Sequence, residues 1–223
     1  MGIRNFFQQW GENNAQKKTS RQKILLERDF IALDVETTGF HVQRGDRIIS
    51  LGAVKIKNGK ILREDAFYTL VNPDKEIPQV VRELTGIDDD AVASAPDFES
   101  VMKEFVDWSI RDTENPVAIG HAITFDLSFL KKPSIAPDWM NKWLDTREIV
   151  SLVYPGLENK SLFHIAEFLE CSILVEHHAL EDAILSAEVF LLALEALKEQ
   201  NVETLESLRR MQKSKRLILP SEF

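Results

Sequence analysis

The stretch Phe30-Ile-Ala-Leu-Asp-Val-Glu-Thr-Thr-Gly39 holds four uninterrupted apolar residues and then two carboxylates two positions apart. A continuous apolar run such as residues 30–33 is what a central strand buried on both faces shows. Asp34 and Glu36 continue it, and side chains two apart on a strand point to one face. Two like charges at the end of a buried strand repel, and both pKa values rise unless a cation neutralises them. Hard oxygen ligands suit Mg2+ or Mn2+. A structural alternative stands beside this: Asp34 caps the turn at Thr37, Thr38 and Gly39, and Glu36 is merely exposed.

Outward from this strand, residues 47–56 and 61–71 are two β-rich runs joined through Asn58-Gly59, the dipeptide of a tight hairpin. Pro78 opens a short helix over 79–84 that Gly86 closes. After Pro96 and Asp97, the residues Phe98, Val101, Met102, Phe105 and Trp108 recur at three- and four-residue steps, an amphipathic helix ending before Pro116. Val117, Ala118 and Ile119 make a short buried strand. Residues 125–130, 147–153 and 161–169 read as short helices, with 143–145 a fifth strand. From Leu180 onward, Ile184, Ala187, Leu191 and Leu194 form the apolar stripe of a long helix. Three strands followed by helices interleaved with short strands imply an α/β fold whose sheet includes an antiparallel member.

The chain has 223 residues, enough for one well-buried domain and too few for two of full size. With 44% hydrophobic and 28% charged residues it is neither collagenous nor wholly disordered. Cys171 is the only cysteine, which excludes an intramolecular disulfide and a thiolate zinc cluster and suits a reducing compartment. No apolar run approaches spanning length and the first ten residues do not read as an export signal, so a cytoplasmic protein with no membrane contact is expected. The net charge of −9 is uneven, since residues 1–28 and 209–223 each sum to +4 and leave the body more acidic than the whole. An acidic body argues against nonspecific duplex binding through a broad basic face, while permitting substrate capture through bound cations or basic ends. Solvated, frayed ends are the plainer reading of the same charges. The expected organisation is an arm over 1–28, a catalytic domain over 29–200, and a helical extension and tail over 201–223.

Asp126 follows the strand at 117–119 at the start of a helix, where capping would also account for it. Asp182 lies in the first turn of the long helix with the same bland explanation, and His177 and His178 stand just upstream in a loop. A loop histidine beside a metal site is a plausible general base because its pKa lies near neutrality; a surface histidine is the simpler view. Four carboxylates and a histidine on an α/β sheet make the set used in two-metal phosphodiester hydrolysis. Spacing alone does not show that they converge.

These residues also stand in recognisable motifs. The stretch from Phe30 to Gly39 closely resembles the first motif of the DEDDh 3′-to-5′ exonucleases. His121-Ala-Ile-Thr-Phe-Asp126 resembles their second motif, and His177-His-Ala-Leu-Glu-Asp182 their third, with the histidine five positions before the aspartate. Leu70-Val-Asn-Pro73, Leu84-Thr-Gly-Ile87 and Asp145-Thr146 are similar to segments of the proofreading epsilon subunit of bacterial DNA polymerase III. Three motifs in order are a far stronger signal than any one of them. The resemblance implies a ribonuclease-H-like mixed five-stranded sheet flanked by helices. It implies Asp34, Glu36, Asp126 and Asp182 as ligands of two divalent cations, Mg2+ or Mn2+, and His177 as base. It further implies that Thr37, Thr38, Thr85 and His121 hold the terminal nucleotide. One departure is Ala122, where the family often has Asn, and His178 competes with His177, which only the spacing to Asp182 favours.

The expected function is a metal-dependent exonuclease that releases nucleoside 5′-monophosphates from 3′ ends in proofreading or repair. Single-stranded DNA is favoured because the intervening motifs look most like the proofreading subunit, although ribonuclease T and oligoribonuclease share the catalytic pattern. A second expectation, of another class, is a subunit that docks on a DNA polymerase or repair protein with little activity of its own. Phe6, Phe7 and Trp10, with Leu217, Ile218 and Leu219, would be its apolar anchors.

Overall fold

A computed structural model describes residues 24–132, 135–172 and 175–218, with side chains as far as Lys213. The strand β1 (Phe30–Thr37) is central, as its apolar run requires. On one side it pairs antiparallel with β2 (Ile48–Lys57), Asp34 standing opposite Gly52. The hairpin leaving β2 turns at Asn58 and Gly59, both at positive φ (50° and 70°), as a two-residue turn of this kind demands. Two short strands, β3 (Lys60–Ile61) and β4 (Phe67–Leu70), then pair with the outer edge of β2. On the other side of β1 run the parallel strands β5 (Val117–Gly120) and β6 (Trp143–Asp145).

The sheet therefore has six strands, not the five expected, because the run at 61–71 is broken by a tight helical turn at Arg63–Asp65. Three consecutive charged residues do not continue a half-buried strand, and Asp65 instead turns to meet Lys55, its Oδ2 2.7 Å from Nζ. Both fragments still lie along β2, so the sheet keeps the width that five strands would give.

The helices are α1 (Gln79–Thr85), α2 (Asp89–Val92), α3 (Phe98–Ile110), α4 (Thr124–Leu130), α5 (Thr146–Val153), α6 (Leu162–Phe168), α7 (Ala179–Glu199) and α8 (Leu205–Ile218). Gly86 closes α1 in the left-handed conformation, φ 70°. Asp97, Asp145 and Ser161 cap α3, α5 and α6 by accepting backbone N–H groups of Ser100, Arg147 and His164. The single turn α2, too short to show a period, is held by the Asp88 carboxylate on the N–H of Ala91 at 2.8 Å.

Alternation along β1 sends its side chains into two cores. Phe30 and Ala32 pack with Ile184, Ala187 and Phe190 of α7, the rings of Phe30 and Phe190 meeting edge-on at 4.9 Å. Ile31, Leu33 and Val35 pack on the opposite face with Met102 and Phe105 of α3 and Leu127 and Leu130 of α4. Full burial of each such side chain favours folding by about 1.5–3 kcal/mol. By the same alternation Asp34 and Glu36 lie on the face that α7 covers.

The chain is packed from Ile24 onward: Ile24 bridges to Thr204, and the N–H of Leu25 donates to Glu203 O at 2.7 Å. Phe6, Phe7 and Trp10 lie outside the described residues, as do Leu219 and the side chains of Leu217 and Ile218. Among the described residues no helix is long and apolar enough to cross a membrane.

Candidate active site

The start of α7 rests directly on β2 at Gly52. A Cβ there would lie 2.2 to 2.4 Å from the backbone of Ala179 and Leu180, so only glycine lets the helix approach this closely. Gly52 is opposite Asp34, and the first turn of α7 consequently brings Asp182 over the carboxylates of β1. Carboxylate oxygens of Glu36 and Asp182 and a ring nitrogen of His177 lie within 4.8 Å of one another. His177 adopts φ 57°, a left-handed backbone that directs the chain into α7. His178 takes a different partner, stacking on Tyr68 of β4 with ring centres 4.5 Å apart. Of the two adjacent histidines, His177 is the one brought to the carboxylates.

Asp126 arrives from the other core. β1 pairs with β5 only over Phe30, Ile31 and Ala32, leaving the edge of β1 open beyond them. The chain leaves β5 at Gly120, turns through Ala122 at φ 54°, and enters α4, where the buried Asp126 carboxylate accepts the N–H of Val35 at 3.1 Å. It thereby satisfies a strand donor that would otherwise be orphaned, a contact that helix capping does not explain. The Ala122 N–H donates to the Asp145 carboxylate at 3.2 Å, which holds the turn.

Burial raises the Asp34 pKa well above the ordinary carboxylate range, and the charges of Asp126, Asp182 and Glu36 add to it. Asp126 is raised too, again chiefly by burial, with the Val35 hydrogen bond opposing. Burial and Asp182 push Glu36 up to about 7. Asp182 also reaches about 7, through burial first, with the His177 backbone opposing and Glu176 and Glu181 adding. Among the described residues no ion pair with Lys or Arg reaches any of the four. Asp182 Oδ1 is buried without a hydrogen-bond partner. An orphaned carboxylate oxygen among hard donors fits divalent cations of the magnesium and manganese kind.

The turn after β1 does not depend on Asp34. Thr37 Oγ1 donates to Gly39 O at 2.7 Å, Thr38 Oγ1 accepts the N–H of Arg47 at 3.0 Å, and Asp46 accepts from His41 N–H at 2.9 Å. Both threonine hydroxyls are thus engaged within the turn. Thr85 closes α1, its hydroxyl donating to Val81 O and accepting the N–H of Ile87. His121 keeps Nδ1 buried and unpartnered; burial holds its pKa down against the pull of Asp145, and Arg147 adds to the lowering. Two contributors were not singled out in the sequence. Gly52 carried a signal, a lone glycine inside an apolar strand; Phe40, directly after Gly39, is 78% exposed with its ring 6.1 Å from that of Phe125.

Residues 31–190 match the exonuclease family (RNase_T), and the chain belongs to that family. It is 32% identical over 203 residues to the DNA polymerase III subunit epsilon of Aquifex aeolicus, covering 89% of this chain and 97% of that protein. It is 38% identical over 188 residues to a PolC-type DNA polymerase III of Caldanaerobacter subterraneus subsp. tengcongensis, covering 83% of this chain. There the chain spans only 13% of the relative's length. The nuclease domain of 3′hExo, a DEDDh family member bound to rAMP, superposes with a TM-score of 0.62 at 22% identity, covering 79% of this chain and 94% of that one. The mixed sheet shares the ribonuclease-H-like fold of that nuclease domain.

Proposed function

We propose that this protein removes nucleotides one at a time from the 3′ end of single-stranded DNA by divalent-metal-dependent hydrolysis. The observation that carries this reading is the group of four pKa-raised carboxylates at the end of β1, with no Lys or Arg ion-paired to them among the described residues and Asp182 Oδ1 left unbonded. Asp34, Glu36, Asp126 and Asp182 would hold two ions, Mg2+ or Mn2+. When bound, these supply a Lewis acid for the scissile phosphate and countercharge for the transition state.

The chain's own residues do the rest. His177, set beside Glu36 and Asp182 on a loop, accepts a proton from the attacking water. The water oxygen bonds to phosphorus, the P–O3′ bond breaks, and the departing 3′ oxygen takes a proton from solvent, releasing a nucleoside 5′-monophosphate; His177 returns its proton to solvent. His121, with a buried and unpaired Nδ1, would supply a polar contact to the terminal nucleotide, and the exposed Phe40 provides an apolar face for a base beside the turn at Thr37 and Thr38. Because both threonine hydroxyls are engaged, any part Thr37 and Thr38 play falls to shape and backbone; Thr85, equally engaged, contributes in the same way.

The epsilon relative, matched over almost its whole length, supports DNA as substrate and a polymerase or repair partner in the cytoplasm. The DEDDh neighbour was solved with rAMP, and that observation favours RNA ends as the second reading. Labelled single-stranded DNA and RNA of matching sequence, carrying the label at the 5′ end, test both. Shortening from the 3′ end by wild type with Mg2+ or Mn2+, absent in Asp34→Ala, is the expected result. Silence on both sugars from folded, metal-loaded protein would overturn the reading.

A further inference from the structure

A cleft of about 290 Å³ lies between the edge strand β6 and helix α8, and at Asp145 it reaches the turn that leads into α4, the helix of Asp126. Its near end is Asp145, which stands opposite Gly120 and whose carboxylate accepts the N–H groups of Ala122 and Arg147. From there it runs back along β6 to Lys142, while Arg209, Gln212 and Lys213 line it from one face of α8. Trp143 stands on the rim, 37% exposed. The same indole borders a shallow depression formed by Thr124 and Ser128 of α4, the helix that carries Asp126, and by Lys131 just after it. It lies two residues from Asp145, about 7 Å along the strand.

The charge of this surface is opposite to that of the molecule. In a chain of net charge −9, Lys142, Arg209 and Lys213 are exposed on the cleft walls and Arg147 is exposed at its active-site end. Of the acids lining it, Asp145 is buried and bonded to backbone N–H groups, and Glu148 is not free. An exposed aromatic ring set among cations, beside the turn that leads to Asp126, is the chemistry that tracks a single strand: stacking for bases and positive charge for phosphates.

We propose that this cleft binds the single-stranded run upstream of the 3′ end, with Trp143 stacked on a base and Lys142, Arg209 and Lys213 against phosphates. This rests on the exonuclease reading of the neighbouring carboxylates and adds to it a second point of attachment, which makes affinity depend on substrate length. A molecule of a few nucleotides fills the acidic centre alone; a longer one also fills the cleft.

The test uses the full chain and 5′-fluorescein oligodeoxythymidylates of about four and about sixteen nucleotides. Ca2+ replaces Mg2+ to hold back cleavage, and binding is read by fluorescence anisotropy. Wild type is expected to bind the long oligonucleotide roughly tenfold more tightly than the short one. Trp143→Ala, and separately Arg209→Gln with Lys213→Gln, should remove most of that advantage while leaving short-oligonucleotide affinity and the unfolding temperature unchanged. Trp143→Phe should keep the advantage, and the double variant should lower the salt slope by about 1.4. A length advantage absent from wild type, or equal in wild type and variants, would overturn the proposal. Length-dependent binding through the cleft without cleavage of either oligonucleotide in Mg2+ would sustain the cleft and sink the exonuclease reading.

Discussion

Near the start of β1, opposite Ile31, the sheet buries Lys55 completely; near the end of the same strand four carboxylates gather, Asp126 and Asp182 buried and Asp34 and Glu36 partly so. Lys55 Nζ lies 2.7 Å from Asp65 and 3.1 Å from Arg111 O, with the Trp108 ring 4.5 Å away. Burial pulls the Asp65 pKa up, yet the hydrogen bond and charge of Lys55 prevail and hold it below the usual range. At the other end Asp34, Glu36, Asp126 and Asp182 are all raised and no lysine or arginine forms an ion pair with them among the described residues. One site contains its own countercharge, and the other is built to receive one. Folding free energy is given up locally where function needs an unmatched charge.

The sharpest way to break this contrast is Asp34→Asn. Hydrolysis should fall by about three orders of magnitude, equivalent to about 4 kcal/mol of lost transition-state stabilisation. Metal-free protein should at the same time unfold at a higher temperature, because one member of a repelling group is gone. A lower unfolding temperature would show that the carboxylates are not strained. Next comes Gly52→Ala, which must push the first turn of α7 off β2 and misplace Asp182 and His177 without touching either. Activity should drop about a hundredfold, read alongside Mn2+ affinity.

Asp65→Ala probes the compensated end. Lys55 would remain buried without its partner, at a cost of roughly 2–3 kcal/mol in urea unfolding, tempered because Asp65 is 43% exposed. Activity per folded molecule should not change. A gentler probe is pH. Glu36 and Asp182 titrate near 7 in the folded protein and near 4 when unfolded, so between those values the folded state binds more protons. Their contribution to metal-free stability is full below about pH 4, declines as pH rises, and is gone above about 7. Calorimetric scans should follow that fall, and added Mg2+ should raise the unfolding temperature more at about pH 8 than at about pH 5. The smallest effect is expected for Ala122→Asn, which suits φ 54° better and should stabilise by under about 1 kcal/mol.

Much of this architecture is legible in local patterns. The buried run of β1, the Asn58-Gly59 turn and the stripes of α3 and α7 depend on periods that neighbouring residues alone reveal. The broken strand at 61–71 was not legible, because it follows from Asp65 reaching Lys55, a contact between two strands. Gly52 showed that some close approach was needed but not that α7 would make it. Spacing to Asp182 favoured His177 over His178, but the physical reason lay outside the sequence: His178 stacks on Tyr68, while His177 meets Glu36 and Asp182. Motif spacing pointed to residues that the fold brings together at the end of β1, while the free or engaged state of each polar atom, as at Thr37, Thr38 and Thr85, is a property of packing.

Calorimetric titration of Mn2+ into metal-free protein at about pH 7, in two buffers of different ionisation enthalpy, tests the central claim most directly. Glu36 and Asp182 are about half protonated there, so binding should release protons, making the observed heat depend on the buffer, and Asp34→Asn should weaken it sharply. Absence of Mn2+ binding, or binding equal in wild type and Asp34→Asn with no proton release, would contradict a metal centre at the end of β1.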